Sequence, residues 1–216
     1  MRGGSALEVK VCGMRAVDNI ARVAELSPDY LGFVFVPESP RYVGHSLSKE
    51  IIDSVPPAIS TVGVFRNQSS ALVVDAVQGF GLGVVQLHGA EDRAFVQDLK
   101  RTMPSVEIWK AISVSSREDI SALGDDFGGV DRFVLDSGTG GTGRVFDWQW
   151  LLEYRGSTPF LLAGGLGGAN IDAALDVAQQ VETMVGVDIN SRVESEPGIK
   201  DVAKVKDILD KVRSRS

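Results

Sequence analysis

Cys12 is the single cysteine of a 216-residue chain. It closes the apolar run V-K-V-C where Gly13 opens a loop. A thiol in that place is either a small buried hydrophobe or a thiolate base or nucleophile. The second role needs a nearby positive charge or helix N-terminus to lower its pKa. Asp136 ends F-V-L-D-S in a similar way. Its carboxyl can serve as a general acid where burial or a neighbouring anion raises its pKa, or it can cap the amides of the glycine loop that follows. That loop, S-G-T-G-G-T-G (Ser137–Gly143), lacks the G-K-[ST] ending of a nucleoside triphosphate site. It reads as a lid, a nest of N–H groups for an anion, or a plain flexible turn. Two further loops, A-G-G-L (Ala163–Leu166) and D-I-N-S-R (Asp188–Arg192), suit a phosphate. Gly164 and Gly165 let the backbone approach closely, and a helix N-terminus behind such loops favours an anion. Arg41 in S-P-R-Y is either a solvated surface arginine or a two-pronged donor to a carboxylate. Lys10 and Lys110 are Schiff-base candidates for a carbonyl substrate. Lys10 is two residues before Cys12, so the two side chains share one face of a strand.

These groups sit at the ends of short apolar runs: Val9–Cys12, Tyr30–Val36, Ile59–Phe65, Gly83–Leu87, Glu107–Ile112, Arg132–Leu135, Phe160–Ala163 and Met184–Ile189. Between them lie segments of helical spacing: Asp18–Leu26, Ser69–Val77, Glu91–Leu99, Ser116–Leu123, Ala169–Val177 and Lys200–Val212, with Ser48–Val55 and Asp147–Leu152 shorter. Successive strands recur about every 25 residues, the size of a strand–loop–helix–loop unit. Each helix returns the chain to the same end, so the strands are parallel. Eight units without a leading G-x-G-x-x-G favour a closed (β/α)8 barrel over a doubly wound open sheet, and the length suits one compact domain, residues 1–216 with a short tail at 1–8. In such a barrel the strand exits gather at one mouth. The exits carry Cys12, Ser39–Arg41, Arg66–Asn67, Gln86–His88, Lys110 with Ser113, Asp136–Ser137, Gly164–Gly165 and Asp188–Ser191, a polar ring that points to a small polar ligand.

The charge balance is acidic, with 22 Lys+Arg against 29 Asp+Glu and a net charge of −7. That argues against nucleic acid or an anionic membrane as partner. A single cysteine excludes an internal disulfide framework. Met1–Glu8 has no apolar core of a signal peptide, and no apolar run reaches the ~18 residues of a membrane span. The expectation is a soluble cytoplasmic protein.

The motifs together resemble one family, phosphoribosylanthranilate isomerase of tryptophan biosynthesis. The matching segments are V-K-V-C-G-M, L-G-F-V-F-V-P-E-S-P-R-Y, V-G-V-F-R-N, V-V-Q-L-H-G-A-E, L-D-S-G-T-G-G-T-G-R-V-F-D-W, F-L-L-A-G-G-L and V-D-I-N-S-R-V-E-S-E-P-G-I-K-D. They run in order from Lys10 to Asp201. The resemblance implies an Amadori rearrangement of N-(5-phosphoribosyl)anthranilate to 1-(2-carboxyphenylamino)-1-deoxyribulose 5-phosphate. It makes Asp136 the general acid that opens the ribose ring and Cys12 the general base that takes the C2 proton. Arg41 matches the arginine beside the anthranilate carboxylate. Gly164, Gly165, Asn190 and Ser191 match the phosphate loops, and His88, Gly141 and Asp188 complete the expected substrate-binding set. No metal or cofactor is implied, because the iminium serves as electron sink. The expected assembly is a monomer or homodimer. One position departs from the pattern: Arg192 follows Ser191 where glycine is expected, and a Cβ there restricts φ. The rival readings are a synthase for the next intermediate, a lysine Schiff-base aldolase on Lys10 or Lys110, and a catalytically silent barrel that senses a phosphorylated metabolite.

Overall fold

The computed structural model describes residues 6–44, 46–124, 127–137 and 146–215. Eight parallel strands close on themselves: β1 (Glu8–Val11), β2 (Tyr30–Val34), β3 (Ser60–Phe65), β4 (Val84–Leu87), β5 (Glu107–Ser113), β6 (Arg132–Asp136), β7 (Phe160–Leu162) and β8 (Met184–Ile189). β1 begins at Glu8, so the expected N-terminal tail is one residue shorter. The outer ring carries α1 (Val17–Ala24), α2 (Lys49–Asp53), α3 (Ser70–Phe80), α4 (Arg93–Thr102), α5 (Arg117–Ser121), α6 (Ile171–Ala178) and α7 (Val202–Ser214).

Local chemistry explains several boundaries. The Ser69 hydroxyl accepts from the Leu72 N–H and starts α3, while the Asp92 carboxylate accepts from the Phe95 N–H and starts α4. Asp201 accepts from the Ala203 and Lys204 N–H groups, which starts α7 two residues later than the apolar spacing suggests. The unit after β6 differs from expectation. Trp148–Glu153 forms a 3₁₀ helix rather than an α-helix. Its three-residue period puts Trp148, Leu151 and, just beyond, Tyr154 on one buried face. The chain also forms an antiparallel hairpin that the spacing did not reveal, β9 (Glu194–Glu196) and β10 (Ile199–Lys200), turning at Pro197–Gly198.

Strand residues alternate between two cores. Val9, Val11, Leu31, Phe33, Ile108, Phe133, Leu135 and Val187 face the helices. Tyr30, Val62, Val84, Trp109, Ala111, Val134, Leu161 and Ala163 fill the barrel. Arg132 closes its lower end, with its guanidinium 5.6 Å from the Tyr30 ring centre and 5.3 Å from that of Trp109 and an ion pair to Glu8. Above this plug the interior positions turn polar, and the site begins there.

Candidate active site

One cavity of about 660 Å³ opens at the strand exits, a size suited to a small ligand. Cys12, Arg41, His88, Asp136, Gly164, Gly165, Asp188, Asn190 and Ser191 all line it. Ser39, Arg66, Gln86, Ser137 and Arg192 complete the polar rim, and Val34, Val36, Val64, Ala163 and Leu166 supply an apolar wall. Gly141, also expected at the site, lies outside the described residues.

Two strand exits depart from the sequence reading. Lys110 is not a cavity residue. It follows the outward register of Ile108 on β5, where its Nζ donates to Glu91 Oε2 at 2.9 Å and to the Gly89 carbonyl at 2.5 Å. Glu91 in turn accepts from the Asn67 N–H at 2.6 Å and the Gly89 N–H at 2.8 Å. Asn67 is thereby drawn out of the mouth into a clamp between two loops. An aldolase lysine at Lys110 is excluded by this placement.

Lys10 does point inward, as its spacing from Cys12 demands, but it is engaged. β1 pairs with β8 so that Lys10 stands opposite Asp188, and Nζ donates to Asp188 Oδ2 at 2.6 Å. Burial pulls the Lys10 pKa down. The Asp188 and Cys12 charges pull harder, and the net effect holds it above the ordinary lysine value. An ammonium held in this way is a poor Schiff-base nucleophile. Burial also lifts the Asp188 carboxyl above the usual range, against the pull of Lys10. Asp188 Oδ1 is buried beside the cavity with no protein partner among the described residues.

The reading of Cys12 as a base calls for a lowered thiol pKa. Burial instead pushes the Cys12 thiol up, and the Lys10 and Lys200 ammonium groups only partly offset this. The loss of water, with the Asp188 charge adding to it, outweighs two cations.

Across the mouth, Asp136 ends β6 with its carboxyl partly exposed to the cavity. The Ser137 hydroxyl donates to Asp136 Oδ1 at 3.4 Å, and His88 Nε2 lies 3.9 Å from Oδ2. Gln86 Nε2 lies 3.3 Å from His88 Nδ1. Burial lowers the His88 pKa, with Asp136 opposing. The adjacent β7 exit is close-packed on this carboxyl. Gly164 has φ +85°, and a Cβ there would sit 2.6 Å from the Ser137 nitrogen and 2.7 Å from Asp136 Oδ1. Only glycine combines that backbone with that approach.

Arg41 reaches the cavity from the loop after β2. Its stem passes over Gly13 (φ +77°), where a Cβ would lie 2.6 Å from Arg41 Cδ. This is the physical reason for a glycine directly after Cys12. Its guanidinium forks onto Glu194, with Nε donating to Oε1 at 2.8 Å and Nη2 to Oε2 at 2.6 Å. Neither Glu194 nor Lys200, which supports it, was singled out from sequence as a site residue. The signal was a Glu and a Lys flanking a Pro-Gly turn, where a hairpin brings the two side chains together. Arg192 occupies the 3₁₀ turn Ser191–Val193 and is not among the residues with left-handed φ, so the side chain in place of glycine imposes no backbone strain.

A family model described as N-(5'phosphoribosyl)anthranilate (PRA) isomerase matches residues 9–211. An N-(5'-phosphoribosyl)anthranilate isomerase of Nostoc punctiforme is 39% identical over 213 residues, covering 97% of this chain and 100% of the relative. A solved phosphoribosyl anthranilate isomerase in complex with reduced 1-(o-carboxyphenylamino)-1-deoxyribulose 5-phosphate is 28% identical with a TM-score of 0.76, covering 96% of this chain and 99% of that one. Monomers generated from the dimeric enzyme of Thermotoga maritima are 29% identical with a TM-score of 0.76, covering 96% and 99%.

Proposed function

The chain belongs to the N-(5'-phosphoribosyl)anthranilate isomerase family, and from that premise we propose how its own residues carry out the Amadori rearrangement. Asp136 gives its proton to the furanose oxygen as the C1–O bond breaks, and the anilino nitrogen lone pair forms the C1=N iminium. Cys12, as thiolate, takes the proton from C2. The C–H electron pair becomes the C1=C2 bond and neutralises the iminium to an enolamine. Loss of the C2 hydroxyl proton and protonation at C1 then yield the ketone. The iminium is itself a cation beside the sulfur, so it favours release of the thiol proton to solvent through the open mouth and leaves the thiolate at the step that needs it, in a site where burial otherwise favours the thiol. General acid and base assistance of this kind contributes roughly 10²–10⁴-fold per group.

Arg41 takes the anthranilate carboxylate, and the valine wall of Val34, Val36 and Val64 receives the aromatic ring. The backbone at Gly164, Gly165, Asn190 and Ser191 holds the phosphate, while His88 and Asp188 contact the sugar. The 1–216 chain works as one barrel domain, monomeric or homodimeric, in the cytoplasm. What carries this reading is that Cys12, Asp136, Arg41 and both phosphate loops border the same cavity. The test is the rate of loss of phosphoribosylanthranilate fluorescence for Cys12→Ser and Asp136→Asn. Each is expected to lower kcat by ~10² or more with a modest change in KM. Wild-type kcat in either variant removes that residue from the mechanism.

A further inference from the structure

We infer that Glu194 is the positioning residue for Arg41, presenting one edge of its guanidinium to the carboxylate of the substrate. This rests on the reading of Arg41 given above. Of the three charged groups in the cluster only Arg41 borders the cavity; its side chain is 20% exposed, against 5% for Glu194 and 0% for Lys200. Glu194 is held firmly from behind. Its Oε1 accepts from Lys200 Nζ at 2.7 Å and from the Gly198 N–H at 3.0 Å. Lys200 is fixed in turn: its Nζ donates to Asn190 Oδ1 at 2.7 Å, its N–H donates to Asn19 Oδ1 at 2.7 Å, and its carbonyl accepts from Asn19 Nδ2 at 2.9 Å. The hairpin β9–β10 is therefore a mount that ties α1, the β8 exit and the Arg41 loop together.

Three consequences follow from elementary chemistry. A free arginine side chain carries considerable rotamer entropy, and the Glu194 fork removes much of that freedom before substrate arrives. The fork also uses the Nε–Nη2 edge of the guanidinium, so the separate Nη1–Nη2 edge is the one aimed at a carboxylate. Finally, Glu194 alone would cancel the charge of Arg41, whereas Lys200 restores a surplus of one positive charge at the cavity edge. That surplus explains why a lysine is buried behind the glutamate.

The test uses two ligands on the intact chain: reduced 1-(2-carboxyphenylamino)-1-deoxyribulose 5-phosphate and the phenylamino analogue that lacks the carboxyl group. Dissociation constants are measured by calorimetry for wild type, Glu194→Gln and Glu194→Asp. Wild type is expected to prefer the carboxylated ligand. Glu194→Gln should weaken that ligand about tenfold or more, the scale of one charge-assisted hydrogen bond, and leave the analogue within about twofold. Glu194→Asp, which keeps the charge but shortens the reach, should lose part of the preference and serves as the probe if the glutamine variant does not fold. In turnover the loss should fall on KM rather than kcat. Equal weakening of both ligands, or a loss confined to kcat, overturns the inference and leaves Glu194 a structural ion-pair partner. A wild type that does not distinguish the ligands overturns the Arg41 assignment itself, a different result from the first.

Discussion

Replacing Lys10 by Met tests the electrostatics beneath the catalytic thiol. Lys10 Nζ and Asp188 Oδ2 are 2.6 Å apart, with side chains 0% and 7% exposed. At an effective permittivity near 20, two unit charges at that separation attract by about 6 kcal/mol, which offsets much of the cost of burying them, although burial still lifts the Asp188 carboxyl. Removing the lysine leaves a carboxylate in the same dry place, and Asp188 Oδ1 already lacks a protein partner among the described residues. Breaking a buried pair in this way costs ~3–5 kcal/mol, a large part of the ~5–15 kcal/mol that holds a typical domain folded. Urea unfolding followed by circular dichroism should register that loss for Lys10→Met. Lys10→Met with Asp188→Leu should recover most of it, because no charge remains buried. The pH dependence adds a sign. The folded-state pKa of Lys10 is raised from 10.5. The contribution of the pair is therefore complete below that value and lost as pH rises through the higher folded one. Wild type should weaken in that alkaline window, and Lys10→Met should lack this component. A second readout is chemical. Cys12 is the single cysteine, so the pH dependence of its alkylation by iodoacetamide, followed by mass, reports it alone, and the variant should titrate at higher pH because Lys10 pulls the thiol down. A variant within about 0.5 kcal/mol of wild type, the size of an ordinary surface substitution, and with an unchanged thiol titration, would refute the reasoning.

Two other perturbations reach different parts of the mouth. Gly164→Ala imposes a left-handed backbone cost of about 1–2 kcal/mol. It also pushes a methyl group against Ser137 and Asp136, so kcat/KM should fall ~10²-fold together with the melting temperature; wild-type kcat/KM would show that the acid is not seated by this glycine. Burial lowers the pKa of His88 below 6.5. The unfolded chain therefore takes up a proton as pH falls through that value while the folded chain resists, and stability declines from pH 7 toward pH 5. The urea midpoint of His88→Gln should vary less over that interval, and an identical slope would remove His88 as the cause.

Much of this was legible in the chain. The eight strand runs and most helices were readable because apolar periodicity is local; the Asp201 cap is local too, yet it starts α7 two residues beyond where the apolar spacing put it. The 3₁₀ helix at Trp148–Glu153 was not, because its three-residue period is set by the wall it packs on. The hairpin β9–β10 escaped because its strands are too short to show alternation. Cys12, Asp136, Arg41 and the glycine pair were recognisable because each stands at a strand exit, and parallel strands bring all exits to one end.

What the linear chain determined by itself is which residues reach the mouth of the barrel. Lys110 and Asn67 are the exceptions: their strand ends were read correctly, but Lys110 takes the outward face of β5 and Glu91 clamps both away from the mouth. Only the closed ring decided which charges meet. Lys10 and Asp188 are 178 residues apart, and Arg41 and Glu194 are 153 apart. A local pattern records that a position is buried and of what type it is. The partner across the ring, and with it whether a cation neutralises an acid, tunes a thiol or faces a substrate, exists only once β8 has closed on β1.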